Sequence, residues 1–536
     1  MKRFLTSLLA VLMTVLAMAQ QPQPPQIPVY SYRTEVRSDA GRLGLGAPTF
    51  VVYPDAAVDK AAAAALAQDL GLTALADEFA GTVYVVNPVG AKYNNAADFE
   101  QYKALLKELR AIYNLKVIGI GNGATFVNAC IAGNAGEVAG IVSLNGKPGK
   151  AVKGAPEVPA YIGGNNAAKA AAAYKTQNAA ATDPLVQVVV NPDKNASLKD
   201  LVADAWDKLM SRNYRYSNYM HTWYTGGEFG QYGPYELEPY IMPEQLGIVR
   251  NVVRKDLMGN GEFLWYEYIP RNLLNAPAKS VPLMVLLHGH GNDPRTQAEA
   301  AGFVELAPSE GFIVAELEWE GNGNPVMGLD GIEQVVYELL NKYPQLNPAK
   351  VYAEGLSAGG ATSNCLGIRK SFLFAGVGAH SAGMLPFIHL GASRESLMNE
   401  AAQKAGLIEM PYFSVTGTQD LGIWFSDREP DPSQNNLFLG WKTYATMNGI
   451  DFPEAPDFSK DATFGVELRD RETIVTNKNG ITMDTGRLYK GNKPLVQLVA
   501  VNGYGHWDFK PDAKLMWDFF KHFSRDPKTK KLIYSE

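Results

Sequence analysis

What the chain has little of narrows its class first. Among 536 residues there are two cysteines, Cys130 and Cys365, too few for a disulfide framework. No C-x-x-C or clustered His/Cys spacing suggests a structural zinc, and neither a metal nor a cofactor is expected. Positive charge is not in excess: 49 Lys and Arg stand against 55 Asp and Glu, a net charge of −6, so nucleic acid is not an expected partner. Charged residues make up only 19%, which argues against a disordered or supercharged chain. Past the N-terminal segment no uninterrupted apolar run approaches about 18 residues, so no membrane span is expected. What is present is 46% apolar residues and 10% aromatics, enough for a sizeable core, on a length that suits two or three domains.

The N-terminus reads as a targeting segment. Lys2 and Arg3 precede an almost wholly apolar stretch, Phe4 to Met18, and Ala17-Met18-Ala19 offers the small residues that signal peptidase needs. The stretch is too short to span a bilayer comfortably, and Gln20-Gln21-Pro22 follows at once. A signal peptide cleaved after Ala19 is expected, with the mature chain secreted or periplasmic. Losing Lys2 and Arg3 leaves 47 basic against 55 acidic residues, a net −8. In an oxidising compartment so few cysteines leave core burial, rather than cross-linking, to supply stability.

After an irregular Pro-, Gln- and Gly-rich lead-in at 20–46, short β-rich apolar runs alternate with helical patterns. The runs are Phe50 to Tyr53, Thr82 to Val86, Lys116 to Ile120, Ala139 to Leu144 and Leu185 to Val190. Continuous apolar strands separated by helices predict a parallel sheet covered on both faces. After Gly247 a hairpin-like pair around Gly259-Asn260-Gly261 opens a second series. Leu283 to Leu287, Phe312 to Leu317, Lys350 to Ala353, Phe374 to Ala379, Tyr412 to Thr416 and Leu495 to Val501 follow. The expected class is α/β, with two tandem domains at 47–212 and 246–536. Each is a mainly parallel sheet covered by helices, and a connector at 213–245 joins them.

The chemistry is concentrated at Ser357. Gly355-Leu356-Ser357-Ala358-Gly359 fits G-x-S-x-G directly after a predicted strand and before a helix, the context a nucleophile elbow requires. The bland alternative is an ordinary Gly-rich strand-to-helix turn. Two further sites follow in the order Ser, acid, His. Asp420 lies just past the strand Tyr412 to Thr416, and His506 follows the strand Leu495 to Val501, after Gly503 and Gly505, which let the loop swing the imidazole back. Asp427 and Asp508 are competing acids, with Asp420 ranked first for its strand-end position. The expected roles are nucleophile for Ser357, general base and acid for His506, and orientation of the imidazole for Asp420. An oxyanion hole is expected from the Ala358 N–H and a second donor in His288-Gly289-His290-Gly291, with Gly289 and His290 as candidates. His288 and His290, spaced i, i+2 with no third ligand, read as a turn rather than a metal site. His380, Trp424 and Trp507 are candidate substrate contacts.

On these motifs, residues from about Gly247 to Phe523 resemble an α/β-hydrolase of the group holding feruloyl esterases, acetylxylan esterases and polyhydroxybutyrate-depolymerase-like esterases. The carrying segments are HGHGND at 288–293, NPAKVYAEGLSAGGATSN at 347–364, TGTQD at 416–420 and NGYGHW at 502–507. The resemblance implies a secreted serine esterase acting on feruloyl or acetyl groups of plant polysaccharide. Polyester depolymerisation and peptidase activity are the alternatives within the hydrolases. A non-catalytic polysaccharide-binding protein is the alternative outside them. Two departures stand out: LGIWFSDREPDPSQNN replaces the usual continuation after the acid, and the group does not generally carry the N-terminal half.

That half looks like a degenerate copy, as a duplicated domain rather than a solenoid repeat. PLVQVVVN at 184–191 resembles PLVQLVAVN at 494–502, and KVIGIGNGAT at 116–125 resembles KVYAEGLSAG at 350–359, an offset that lays Gly123 on Ser357. YIGGNN at 161–166 lies on VTGTQD at 415–420, which puts Asn166 opposite Asp420. No histidine falls near 195, the place of His506. A non-catalytic hydrolase-like domain packing against the catalytic one is expected. The connector holds ten aromatic or His residues within 213–240, suited to stacking on sugar or feruloyl rings or to packing between the domains.

Overall fold

β-Branched apolar runs form the strands, and a computed structural model places them in two large sheets. It describes residues 30–42, 47–109, 114–215, 237–239, 242–384, 391, 393–420, 423–425, 431–476 and 481–536. The signal segment, Asp427 and most of the aromatic connector lie outside the described residues. The first half contains β1 (Tyr32–Glu35), β2 (Thr49–Tyr53), β3 (Thr82–Val85), β4 (Leu115–Ile120), β5 (Val138–Leu144), β6 (Ala160–Gly163) and β7 (Val188–Asn191). A small ribbon, β8 (Asn213–Arg215) with β9 (Leu237–Pro239), follows. The second half contains β10 (Ile248–Lys255), β11 (Phe263–Pro270), β12 (Val281–Leu287), β13 (Ile313–Leu317) and β14 (Leu346–Gly355). It continues with β15 (Gly376–His380), β16 (Tyr412–Gly417), β17 (Arg469–Val475), β18 (Thr482–Lys490) and β19 (Lys493–Val501). A second ribbon, β20 (Phe523–Arg525) with β21 (Leu532–Tyr534), ends the chain.

The first sheet has the order β1-β3-β2-β4-β5-β6-β7, and the second β10-β11-β13-β12-β14-β15-β16-β19-β18-β17. The middle seven strands of the second repeat the first strand for strand. In both, the leading strand is antiparallel to its neighbour and the remaining pairs are parallel. The parallel strands are buried on both faces, as in β12 and β16, which explains their continuous apolar sequences.

Three expectations need correction. The lead-in is not wholly irregular, because Tyr32–Glu35 forms the edge strand β1; its alternating half-buried pattern left no apolar run to notice. The second series also lacked β17 and β18, which extend the second sheet: β18 is only partly buried and β17 almost fully exposed, so neither shows an apolar run. The third concerns the repeat offset. Ser357 turns through φ 54°, ψ −113°, and in the first half the matching turn is at Gly121, φ 57°, ψ −113°. Gly121, not Gly123, therefore occupies the place of Ser357.

Gly123 instead corresponds to Gly359, and both are glycine because the next strand's backbone is in the way. A Cβ on Gly359 would overlap the Leu287 carbonyl oxygen and lie 2.6 Å from that of His288. A Cβ on Gly123 would overlap the Tyr53 carbonyl oxygen and lie 2.6 Å from that of Pro54. Rigid backbone cannot yield as a flexible side chain does, so each Gly→Ala is expected to cost about 3 kcal/mol or more. Urea unfolding that shows less than about 1 kcal/mol for Gly359→Ala would contradict this packing.

The outer edges are charged. β17 is almost fully exposed and carries Arg469, Asp470, Arg471 and Glu472, while β10 carries Arg250, Arg254 and Lys255. No helix among the described residues is long and apolar enough to cross a membrane.

Candidate active site

The site is built by four adjacent parallel strands, β14, β15, β16 and β19, whose C-terminal ends share one rim. Ser357 follows β14, His380 ends β15, Asp420 follows β16 and His506 follows β19. Ser357 sits in a left-handed conformation that costs a non-glycine residue of order 1–3 kcal/mol. Two bonds fix it: its N–H donates to the His380 carbonyl at 2.8 Å, and its own carbonyl accepts from Ala361 N–H at 2.9 Å. Gly355 is close-packed against Gly359 and Leu287, so the chain can reverse only with glycines on both sides. The serine thereby starts the helix Ala358–Arg369.

Asp420 is buried and its Oδ2 accepts a hydrogen bond from His506 Nδ1 at 2.8 Å. Burial opposes charge on the His506 ring. The Asp420 charge and hydrogen bond, with Asp508, outweigh it and hold the pKa above its ordinary value. Among the described residues the Ser357 hydroxyl makes no hydrogen bond.

Hydrogen bonds in the loop 288–291 distinguish the amides named as candidate donors. Gly289 N–H donates to Gln297 Oε1 at 2.9 Å, and Gly291 N–H donates to Glu320 Oε2 at 2.9 Å. Asn292 N–H donates to the Gly289 carbonyl. Among the described residues neither the His290 N–H nor the Ala358 N–H at the head of the helix has a hydrogen-bond partner. Gly289 is thus displaced from the donor role expected of it, because Gln297 has claimed its proton. Two of the three candidate substrate contacts are also displaced. His380 and Trp507 are 1% and 2% exposed, so both belong to the interior rather than the surface of a cleft. Trp424 is half-buried, with its ring against Phe425 and Phe464.

Beneath the rim lies a cluster that the sequence did not assemble, although His380 and Asp508 were each named in it singly. Donor atoms of Glu354, His380 and Asp508 converge within 4.8 Å of one another, all buried, and Asp512 Oδ2 lies 3.3 Å from His380 Nδ1. Burial and the neighbouring His506 push His380 down to about 3, so it is neutral. Burial raises Asp508, and burial with neighbouring carboxylates raises Glu354 and Asp512 well above the ordinary range. The visible signal was a carboxylate inside an apolar strand, as in VYAEG.

A raised carboxyl pKa makes the folded state bind more protons than the unfolded one. Stability is then fullest below the ordinary carboxylate pKa and falls as pH rises toward the folded value. Glu354→Gln is therefore expected to raise Tm more at pH 8 than at pH 5, by roughly 2–4 °C. Equal shifts at both pH values, measured by calorimetry, would show that Glu354 is not held protonated.

Strand order, left-handed serine turn and an acid–histidine pair at the C-terminal rim define the α/β-hydrolase fold. Among solved structures the chain is similar to acetyl xylan esterase from Aspergillus awamori, with 17% identity and a TM-score of 0.35 over 51% of this chain and 99% of that one. It is similar to the feruloyl esterase module from Clostridium thermocellum, with 13% identity and a TM-score of 0.33 over 52% of this chain and 90% of that one. It is also similar to Pyrococcus horikoshii acylaminoacyl peptidase, with 12% identity and a TM-score of 0.28 over 40% and 38% of the two chains. No protein-family model and no curated protein matches it.

Proposed function

We propose that this chain is a secreted or periplasmic serine esterase that cleaves carboxylic esters through an acyl-enzyme. The observation that carries this is the strained turn at Ser357, on the same rim as a histidine bonded to a buried aspartate. Ser357 Oγ attacks the ester carbonyl carbon while His506 takes the hydroxyl proton. Asp420 holds the ring through Nδ1 and stabilises its charge. Negative charge growing on the carbonyl oxygen meets the Ala358 and His290 amides. The tetrahedral species collapses, the alcohol leaves with the proton from His506, and water repeats the sequence on the acyl-serine.

The sequence motifs favour feruloyl or acetyl groups on polysaccharide as the substrate. The first half is a non-catalytic hydrolase-like unit: Gly121 supplies no nucleophile, Asn166 cannot stabilise an imidazolium, and no histidine lies near 195. The test is a panel of aryl acetate, methyl ferulate, a short hydroxyalkanoate polyester and a peptide anilide, run on wild type and Ser357→Ala. Turnover of an ester that disappears with Ser357 supports the proposal. Equal activity in the two proteins, or none on any ester, removes it.

A further inference from the structure

The first half is tied to the second at one point of consequence for chemistry. After β1 leaves the first sheet, residues 38–42 form a turn closed by Ser38 N–H to the Arg42 carbonyl at 2.9 Å and Gly41 N–H to the Ser38 carbonyl at 2.8 Å. The turn docks on the second half. Ala40 is 1% exposed and packs in the core around Leu264 and Tyr266. Its carbonyl accepts from Asn322 Nδ2 at 3.2 Å, and Arg254 donates to the Asp39 carbonyl.

Arg42 ends the turn and is buried. Its Nε and Nη2 donate to the two oxygens of Glu318 at 2.5 and 2.7 Å, and Nη2 lies 3.2 Å from Glu320 Oε2. Glu320 in turn accepts from Gly291 N–H at 2.9 Å and bonds His290 Nδ1 at 2.7 Å. Glu318 is fully buried and lies 3.4 Å from His288 Nε2. Glu320, which grips the loop 288–291, and Glu318, which lies against His288, are thus both held by one guanidinium. Its planar fork satisfies two acceptors at fixed angles, which an ammonium cannot do. Burial alone would push Glu318 up; Arg42 and His288 outweigh it and hold the carboxyl at about 2. Glu320, which lies against Arg42 Nη2, is what keeps the Gly291 amide occupied, and no bond among the described residues occupies the His290 amide.

We propose that Arg42 is a positioning residue for the oxyanion loop of the second half, so that the first half completes a site it does not itself contain. This rests on the serine-esterase proposal above. It predicts a defect in transition-state stabilisation rather than in substrate binding, because the loop touches the oxyanion and not the ground-state ester.

The experiment compares full-length wild type, Arg42→Ala, Arg42→Lys and Ser357→Ala on p-nitrophenyl acetate. Arg42→Ala is expected to lower kcat about 10- to 100-fold with KM within about twofold, and Arg42→Lys to be intermediate. Guanidinium chloride at about 50 mM, filling the vacated space, is expected to restore much of the kcat of Arg42→Ala, while equal sodium chloride does not. Rescue by the missing cation is a readout that mere structural damage would not give. If Arg42→Ala does not fold, Glu320→Gln, which weakens the grip on the loop but keeps the Arg42–Glu318 pair, is expected to show the same kcat-specific loss. Wild-type kcat in a folded Arg42→Ala, or a loss that guanidinium leaves untouched, overturns the inference alone. An inactive wild type, or activity that survives Ser357→Ala, ends the esterase proposal and this inference together.

Discussion

Ser357→Ala is expected to lower kcat/KM for an aryl acetate by at least ~10⁴-fold while the protein stays folded. The loss is large because on the proposed mechanism the hydroxyl is the atom that forms the acyl bond. What remains is binding and the two oxyanion amides acting on water. The fold should survive because alanine inherits the same left-handed backbone without adding strain, and the serine hydroxyl makes no hydrogen bond among the described residues. Circular dichroism and a thermal melt of both proteins separate loss of chemistry from loss of structure. Ser357→Gly should be equally inactive and about 1 kcal/mol more stable, since glycine adopts positive φ without penalty. The first half already holds that exchange at Gly121.

Asp420→Asn is expected to cost about 10³- to 10⁴-fold in kcat, close to the serine substitution and far beyond the loss of one ordinary hydrogen bond. An asparagine can hold the ring only by favouring the wrong tautomer or by donating to it. It also cannot stabilise the imidazolium formed as Ser357 is deprotonated. The pH profile gives an independent reading. His506 must be neutral to accept a proton, so activity falls as pH drops through its pKa. Asp420 is the main influence raising that pKa, so the acidic limb of kcat/KM should move to lower pH in Asp420→Asn. A limb that stays in place would mean that another group, Asp508 first, governs the histidine.

Much of this was legible in the amino acids because it is enforced by short-range sterics. A strand that must reverse into a helix over a serine requires Gly355 and Gly359, and that demand leaves a pattern. Asp420 and His506 stood out because each follows an apolar strand, and parallel strands end on one rim. The shell behind them was not legible. Gln297, which takes the Gly289 proton, and Glu318 and Glu320, which meet Arg42 across some 280 positions of chain, are ordinary polar residues until the sheets bring them together. The repeat offset was misplaced by two residues because G-x-G-x-G can be slid along itself, and only the backbone angles tell Gly121 from Gly123. β17 and β18 escaped a search for unbroken apolar runs because β18 is only partly buried and β17 is exposed along almost its whole length.

Those outer strands carry a separate consequence. Among the described residues no strand pairs with the outer edges of β10 and β17, where a sheet offers a template for another chain to extend it. Each border carries charge, Arg250, Arg254 and Lys255 on β10 and Arg469, Asp470, Arg471 and Glu472 on β17, which an incoming strand would have to strip of water. The sheet can therefore be wide enough to seat a catalytic rim without becoming a seed for fibrils.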